Sequence, residues 1–302
     1  MKLCKPFLGR TRPHDIWQFG AGRPRVAVLG GVHGNEITGV EVVKALVQEF
    51  SNKVHSLLKG ELTLAIGNPM AVSQNTRYLQ EDLNRCFDGR SLEDSEILER
   101  KRAALLAPYL TDLDLLLDLH ATNKPSTPFA RLPGPVKGRR QRFQEAEGLF
   151  LRNLRGCQTI LWDPHELIAG GSMTDEYAFR YAPKDVKAAS TYICLESGQA
   201  ADVTSVKMIH LAVLQSLHHL GMLQNISKAG LSEGLLAWQH FEIAERFSLD
   251  QRGFQWVNGH GAYNFQVVPP GEVYGVRGEE KLRAPKGREC VNYGQKVNHL
   301  DG

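Results

Sequence analysis

The segment His33-Gly34-Asn35-Glu36 carries an imidazole and a carboxylate at a spacing that suits one metal ion. It follows the apolar run 26–31, which is typical of a buried strand that ends at two glycines. Both groups are zinc ligands, and a catalytic zinc site uses three protein ligands and leaves one position open. The alternative is that Glu36 only favours the start of a helix and His33 is an ordinary loop residue. The motif alone leaves both interpretations open.

A second histidine, His120, follows another strand-like run, Leu113–Leu119. By itself, such a histidine is more often a buried core residue. Ligand groups at the ends of two strands can meet at the carboxyl edge of one sheet, so His120 is the candidate third ligand. Asp118 lies two residues earlier, on the same face of a regular strand, where its carboxylate could orient a ligand.

Two arginines and an asparagine follow the predicted strand Glu61–Gly67. The adjacent Asn84 and Arg85 offer planar donor groups that suit bidentate capture of a carboxylate. Arg77 could direct its charge at a carbonyl oxygen that becomes negative during attack. The alternative is a salt-bridged surface loop.

Glu196 ends the apolar run Thr191–Leu195 directly before Ser-Gly. A carboxylate in such a place is costly unless it is paired, exposed in a cleft or used. Beside zinc-bound water it would act as a general base and then pass the proton to a leaving amine. The alternative is a salt-bridged strand end.

Strand-like and helix-like segments alternate through about residue 222, which predicts a sheet with helices on both faces. The predicted helices are Thr38–Phe50, Glu93–Leu110, Arg140–Leu154 and Val203–Leu220, and a further strand is predicted over Cys157–Trp162. The Pro- and Thr-rich segment Ala121–Pro135 is predicted to be a long loop that faces the substrate.

The character of the chain changes after about Leu223, where short apolar pieces are separated by Gly, Pro and Asn. These pieces are Phe254–Val257, Tyr263–Val268 and Glu272–Val276, with a helix no longer than Leu235–Phe247. We therefore predict two domains, a catalytic domain over 1–222 and a β-rich capping domain over 223–302.

Composition narrows the classes of partner. A net charge of +3 over 302 residues gives no reason to expect nucleic acid. No apolar run approaches the roughly 18 residues of a membrane span, and the start of the chain lacks the apolar core of a signal peptide. The 5 cysteines are scattered, which predicts reduced thiols and a cytoplasmic location.

Gly-x-Ser-x-Gly and phosphate-binding glycine loops are absent from the sequence, so a serine hydrolase has little support. The oligomeric state, including a homo-oligomer, stays open.

In this order, the motifs resemble those of the aspartoacylase and succinylglutamate desuccinylase family, relatives of the zinc metallocarboxypeptidases. The matching segments are 30–36, 67–69 with 76–78, 82–87, 117–122 and 195–198. The resemblance implies an α/β fold with a mixed central sheet, of the zinc carboxypeptidase type, and a smaller C-terminal β-rich domain. It also implies hydrolysis of the amide bond of small N-acyl amino acids, which releases a carboxylate and a free amino acid.

The resemblance further implies a role for each candidate residue. Zn²⁺ is held by His33, Glu36 and His120, and Glu196 serves as general base and proton shuttle. Arg77 polarises the scissile carbonyl, and Asn84 with Arg85 grips a carboxylate of the substrate. Two other interpretations stay open: a metallocarboxypeptidase that acts on short peptides, and a non-catalytic zinc-binding or carboxylate-binding protein of the same fold.

The sequence departs from the family in two places. Where aspartoacylases use an arginine to read an acidic substrate side chain, the comparable region 170–181 offers Asp175 and Glu176. A carboxylate there would repel aspartate, so we expect a preference other than N-acetylaspartate. The sequence also ends at Gly302, near where aspartoacylases add a pocket tyrosine. Either Tyr293 replaces it, or the site is more open, or the chain continues.

Overall fold

The structure is a computed structural model that describes residues 14–88, 96–132, 159–163, 168, 171–182, 191–200, 203–224, 239–243, 254–286 and 290–292. The predicted helix Arg140–Leu154 and Tyr293 lie outside these residues. The described helices are α1 (Ile37–Ser51), α2 (Pro69–Ser73), α3 (Leu98–Leu106), α4 (Thr174–Arg180) and α5 (Val203–His219), with single 3₁₀ turns at Leu83–Arg85 and Ala107–Leu110.

The strands fall into a central sheet and two small ones. Those of the central sheet are β1 (Ile16–Ala21), β2 (Arg25–Gly30), β3 (Gly60–Ile66), β4 (Leu115–Thr122), β5 (Phe129–Leu132), β6 (Thr159–Trp162), β7 (Thr191–Gln199) and β8 (Gln239–Glu242). The small sheets contain β9 (Phe254–Trp256), β10 (Gln266–Val268), β11 (Val273–Arg277), β12 (Glu280–Arg283) and β13 (Cys290–Asn292).

The central sheet is mixed, with the strand order β1-β3-β2-β4-β7-β5-β6-β8. Its middle strands β3, β2, β4 and β7 run parallel to one another, whereas β1 and β5 are antiparallel to their neighbours β3 and β7. All of β4 and most of β2 are buried, as expected for parallel strands that are covered on both faces. The prediction of an α/β fold with a mixed central sheet and a smaller β-rich part is therefore confirmed.

Two local predictions were wrong. Residues 239–242, inside the suggested helix Leu235–Phe247, form β8 and pair with β6. Residues 129–132, inside the predicted loop Ala121–Pro135, form the buried strand β5. A four-residue strand that contains an arginine has too short an apolar run to be recognised, and pairing with β7 and β6 overrides its weak local preference.

The C-terminal region contacts the segment that follows His120. The Asn264 backbone N–H donates to the Pro125 carbonyl at 3.0 Å, and the rings of Phe265 and Phe129 pack edge to face at 5.0 Å. Because β8 belongs to the central sheet, residues after 223 also contribute to that sheet. A boundary at residue 222 stays a prediction.

Within the described ranges, no helix has both the length and the apolar character of a membrane span.

The first turn of α1 packs against the ends of β2 and β4 without any side chain between them. A Cβ on Gly30 would lie 2.1 Å from the Gly39 carbonyl oxygen, and a Cβ on Gly39 would lie 2.5 Å from that of Leu119. Both contacts are with backbone atoms, so relieving them would require a shift of the helix or of the strand. This close approach fixes the start of α1, and with it Glu36, at the carboxyl edge of the sheet.

We expect Gly30→Ala to lower the free energy of unfolding by about 3 kcal/mol, because the added methyl group overpacks a backbone contact. Gly271→Ala is the control: unlike Gly30, Gly271 has a positive φ of +79° that alanine adopts only with strain, but nothing lies within 4 Å of the new Cβ. Its cost should be about 1 kcal/mol from backbone strain alone. Urea unfolding of both variants measures the difference, and equal losses would contradict the packing explanation.

Candidate metal centre

Glu36 occupies the residue before α1, but its carboxylate does not cap the helix. The chain leaves β2, turns through Gly31 at φ +68° and reaches Glu36 six residues after the strand ends. The Glu36 side chain instead accepts a hydrogen bond from the Ala121 backbone N–H at 3.1 Å, beside the end of β4. Glu36 thus lies at the start of α1, but its carboxylate is hydrogen-bonded to the neighbouring strand end and not to the N–H groups of the helix.

Two imidazoles meet this carboxylate from different elements. His33 Nδ1 lies 2.9 Å from Glu36 Oε1, and His120 Nδ1 lies 2.9 Å from Glu36 Oε2. One ligand atom from each residue lies within 4.8 Å of the others, and all three side chains are buried. Two imidazole nitrogens and a carboxylate oxygen converging in this way form a donor set that could hold a metal ion.

The second ring nitrogen of each histidine faces another carboxylate. His33 Nε2 lies 2.9 Å from Asp82 Oδ1, and His120 Nε2 lies 2.9 Å from Asp118 Oδ2. Carboxylates in these positions fix the orientation of a ligating imidazole and increase its basicity. The shared strand face predicted the Asp118 contact. Asp82 was missed as a partner of His33, because only the fold brings two residues 49 positions apart together.

Arg77 lies at the edge of this cluster. Its Nη1 is 3.3 Å from Glu36 Oε1, and its Nη2 is 3.3 Å from Asp82 Oδ2. Asn84 is buried, and its side-chain oxygen accepts from the Thr174 backbone N–H at 3.0 Å. Arg85 donates to the Asn84 carbonyl at 2.8 Å. The structure thus brings all three predicted substrate-side residues next to the histidine cluster.

Glu99 is a further residue that sequence reasoning missed. Its buried carboxylate accepts backbone hydrogen bonds from Leu79, Gln80 and Glu81 at 2.8–3.2 Å, and one from the Asn68 side chain at 3.2 Å. These bonds fix the segment that leads into Asp82–Arg85. A carboxylate six residues after the start of the predicted helix Glu93–Leu110 looks like an ordinary surface acid, so nothing in the pattern distinguishes it.

Glu196 lies beside His120 on the neighbouring parallel strand. The two residues are paired in the register of β4 and β7, so their side chains leave the same face of the sheet. Burial, reinforced by the nearby Glu36 carboxylate, raises the pKa of Glu196 to about 7. A carboxyl group with such a pKa can both accept and donate a proton near neutral pH.

These residues surround a pocket with an empty volume of about 310 Å³. It is lined by His33, Arg77, Asn84, Arg85, His120, Arg131, Ile168, Met173, Cys194 and Glu196. All the predicted site residues except Glu36 line it; the Glu36 carboxylate lies directly behind the two imidazoles. Arg131 was not predicted. Asp175 and Glu176 do not line the pocket, but both pair with Arg131.

Comparison with known proteins agrees with this architecture. A family model described as the succinylglutamate desuccinylase/aspartoacylase catalytic domain matches residues 22–151. A succinylglutamate desuccinylase of Erwinia tasmaniensis is 27% identical over 293 residues, 89% of this chain and 79% of that protein. The crystal structure of the Vibrio cholerae succinylglutamate desuccinylase superposes with a TM-score of 0.67 at 20% identity, covering 94% of this chain and 82% of that one.

Two other relatives match a shorter region. A probable aspartoacylase of Nostoc sp. is 39% identical over 105 residues, 32% of this chain and 35% of that protein. An N-acyl-aromatic-L-amino acid amidohydrolase of Danio rerio is 36% identical over 107 residues, 32% of this chain and 34% of that protein. These alignments span only about a third of the length of the two curated relatives.

The central sheet and the cluster at its carboxyl edge define the class: a mixed α/β protein of the zinc carboxypeptidase-like type. Within that class, residues 22–151 match the succinylglutamate desuccinylase/aspartoacylase catalytic domain, and the chain is similar to a succinylglutamate desuccinylase over most of its length.

Replacing the Asp82 carboxylate tests whether it supports metal binding through His33. We expect Asp82→Asn to weaken metal affinity by about 10- to 100-fold, the usual cost of losing a carboxylate behind a ligating histidine. Competition with a chelator measures the affinity. Asp112→Asn, which removes an exposed carboxylate that pairs with Arg23, is the control and should retain full affinity. Equal affinities in the two variants would contradict this role.

Proposed function

We propose that this protein hydrolyses the amide bond of small N-acyl amino acids in a zinc-dependent reaction. The observation that carries the proposal is the convergence of His33, Glu36 and His120 next to Glu196, a buried carboxyl group with a pKa of about 7. A metal-ligand set beside a group that can shuttle protons is the pairing that amide hydrolysis requires.

We propose the following division of labour. When bound, zinc supplies Lewis-acid chemistry that polarises an amide carbonyl and makes water a better nucleophile. Glu196 takes a proton from the attacking water and delivers it to the leaving nitrogen. Arg77, at the edge of the ligand cluster, stabilises the negative charge that develops on the carbonyl oxygen.

Asn84 and Arg85 would bind the substrate carboxylate. Both line the pocket beside the candidate ligands, and Arg85 is a guanidinium with donors suited to a planar anion. Burial lowers the pKa of Arg85, and the opposing charge of a bound carboxylate would relieve this cost. The pocket has an empty volume of about 310 Å³ even when space open to solvent is included, which suits a small substrate. The C-terminal segment that packs against residues 125–129 supports a capping role, which would narrow access to the site.

The names of the relatives support the substrate class. The Danio rerio relative is named for N-acyl-aromatic amino acids and the Nostoc relative as a probable aspartoacylase, so an N-acyl amino acid is the shared chemistry. A peptide substrate is the main alternative. Assaying N-acetyl amino acids beside dipeptides and tripeptides with free amino ends separates the two, and a clear preference for the peptides would overturn the proposal.

Removing the proton-transfer group should abolish turnover without removing the metal. We expect Glu196→Gln to lower kcat by about 10²–10⁴-fold, because the amide cannot accept the proton of water. Metal content, measured by elemental analysis, should match the unaltered protein. An active variant would contradict the general-base role. If the unaltered, metal-loaded protein hydrolyses neither the acyl substrates nor the peptides, that result supports a binding protein of the same fold.

Removing a candidate ligand should differ from removing Glu196, because the metal should be lost as well as the activity. We expect His33→Ala to lose bound zinc and activity together, because a site with two remaining protein ligands holds the ion far more weakly. His55→Ala is the matched control, since His55 pairs with Glu49 away from the pocket. Retention of stoichiometric zinc by His33→Ala would disprove the ligand assignment.

A further inference from the structure

Arg131 is a buried guanidinium in the pocket that the proposed chemistry does not use. It lies on β5, opposite Cys194 of β7, and its side chain is 3% exposed. Strand β7 separates β5 from β4, so Arg131 and His120 are on strands about 10 Å apart, two strand spacings. Arg131 therefore lines the pocket from the far side of β7, whereas His120 lies on the other neighbour of that strand.

The donors of Arg131 are only partly used. Nη2 donates to Asp175 Oδ1 and Oδ2 at 2.6 and 2.5 Å, and Nη1 makes a long contact of 3.5 Å with Glu176 Oε1. Nε is buried and has no hydrogen-bond partner among the described residues. A buried N–H group without an acceptor costs free energy, and a ligand oxygen in the pocket would remove that cost.

The charge of Arg131 is already balanced. Asp175 and Glu176 are both buried and pair with it, and the buried carboxylate of Asp163 also acts on it. Burial alone would lower the pKa of Arg131, and the carboxylates of Asp175, Glu176 and Asp163 more than offset this. At this end of the pocket, three carboxylates thus face the two guanidiniums of Arg131 and Arg85.

We propose that Arg131 is a specificity-determining residue whose free Nε–H binds an uncharged oxygen of the substrate, while its carboxylate partners exclude a second substrate carboxylate. The inference rests on the proposed function. One carboxylate of the substrate binds Arg85. A second one would bring another negative charge next to the three carboxylates around Arg131, and like charges brought together in a buried site repel one another. An amide oxygen brings no such charge.

Substrate pairs of equal shape and different charge test this directly. N-acetylasparagine against N-acetylaspartate, and N-acetylglutamine against N-acetylglutamate, differ only by an amide in place of a carboxylate. With the unaltered metal-loaded protein, we expect kcat/KM to favour the amide member of each pair by about tenfold or more. Preference for the acidic member of both pairs would overturn the inference while leaving the proposed function intact.

Variants test whether Arg131 with its partners Asp175 and Glu176, here called the Arg131 cluster, causes the preference for the amide substrate. We expect Asp175→Asn and Glu176→Gln each to raise the acid-to-amide ratio of kcat/KM by about tenfold, since each removes one negative charge beside Arg131. Arg131→Met should lower kcat/KM for N-acetylasparagine more than for N-acetylalanine, which has no side-chain oxygen. Glu41→Gln, which removes an exposed charge on α1, is the control and should leave every ratio unchanged.

The outcomes are distinct from one another. Unchanged ratios in folded Asp175→Asn and Glu176→Gln, checked by thermal unfolding, would overturn the role of the cluster. If these variants do not fold, the comparison of substrate pairs in the unaltered protein still decides whether a second carboxylate is excluded. Hydrolysis of none of the acyl amino acids would overturn the proposed function and this inference together.

Discussion

The site depends on a single buried carboxylate, that of Glu36. A charged group inside a protein is tolerated only when it is paired and hydrogen-bonded. Glu36 meets this requirement with His33, His120, the Arg77 guanidinium and the backbone N–H of Ala121. These partners come from three separate stretches of chain, so the carboxylate is satisfied only when the loop after β2, the end of β4 and the segment before Asp82 are all in place.

The architecture supplies these partners in two different ways. The candidate ligand His120 and the proposed base Glu196 are neighbours in a parallel ladder, where backbone hydrogen bonds fix the spacing of the two strands. The segment with Asn84 and Arg85 has no such ladder. Internal carboxylates hold it instead: Glu99 binds the backbone of residues 79–81, and Asp82 binds the Asn84 backbone N–H. One side of the site is therefore held by the strand ladder, and the facing loop is held by hydrogen bonds to buried carboxylates.

The sequence predicted the part of this arrangement that is local. Strand β2 with His33 and Glu36, and β4 with Asp118 and His120, are visible because apolar runs end at ligand-type residues. Asp82 and Glu99 were not recognised as organising residues, because their partners lie 18 to 49 positions away. Arg131 was missed for a related reason. Its strand has four residues, and its burial depends on Asp175 in a helix that the sequence pattern did not reveal.

The charges around the two imidazoles bear on whether the cluster could hold a cation. Glu36, Asp82 and Asp118 contribute three formal negative charges around the two imidazoles, and Arg77 contributes one positive charge, which leaves an excess of two. Burial alone would lower the pKa of His33 and His120, yet the surrounding carboxylates raise both. The same excess can therefore be neutralised by two protons on the imidazoles or by one divalent cation on their deprotonated nitrogens. Because a metal ligand must be unprotonated, these two states exclude each other. The buried carboxylates beside the histidines would thus balance the charge of a divalent ion as well as that of two protons.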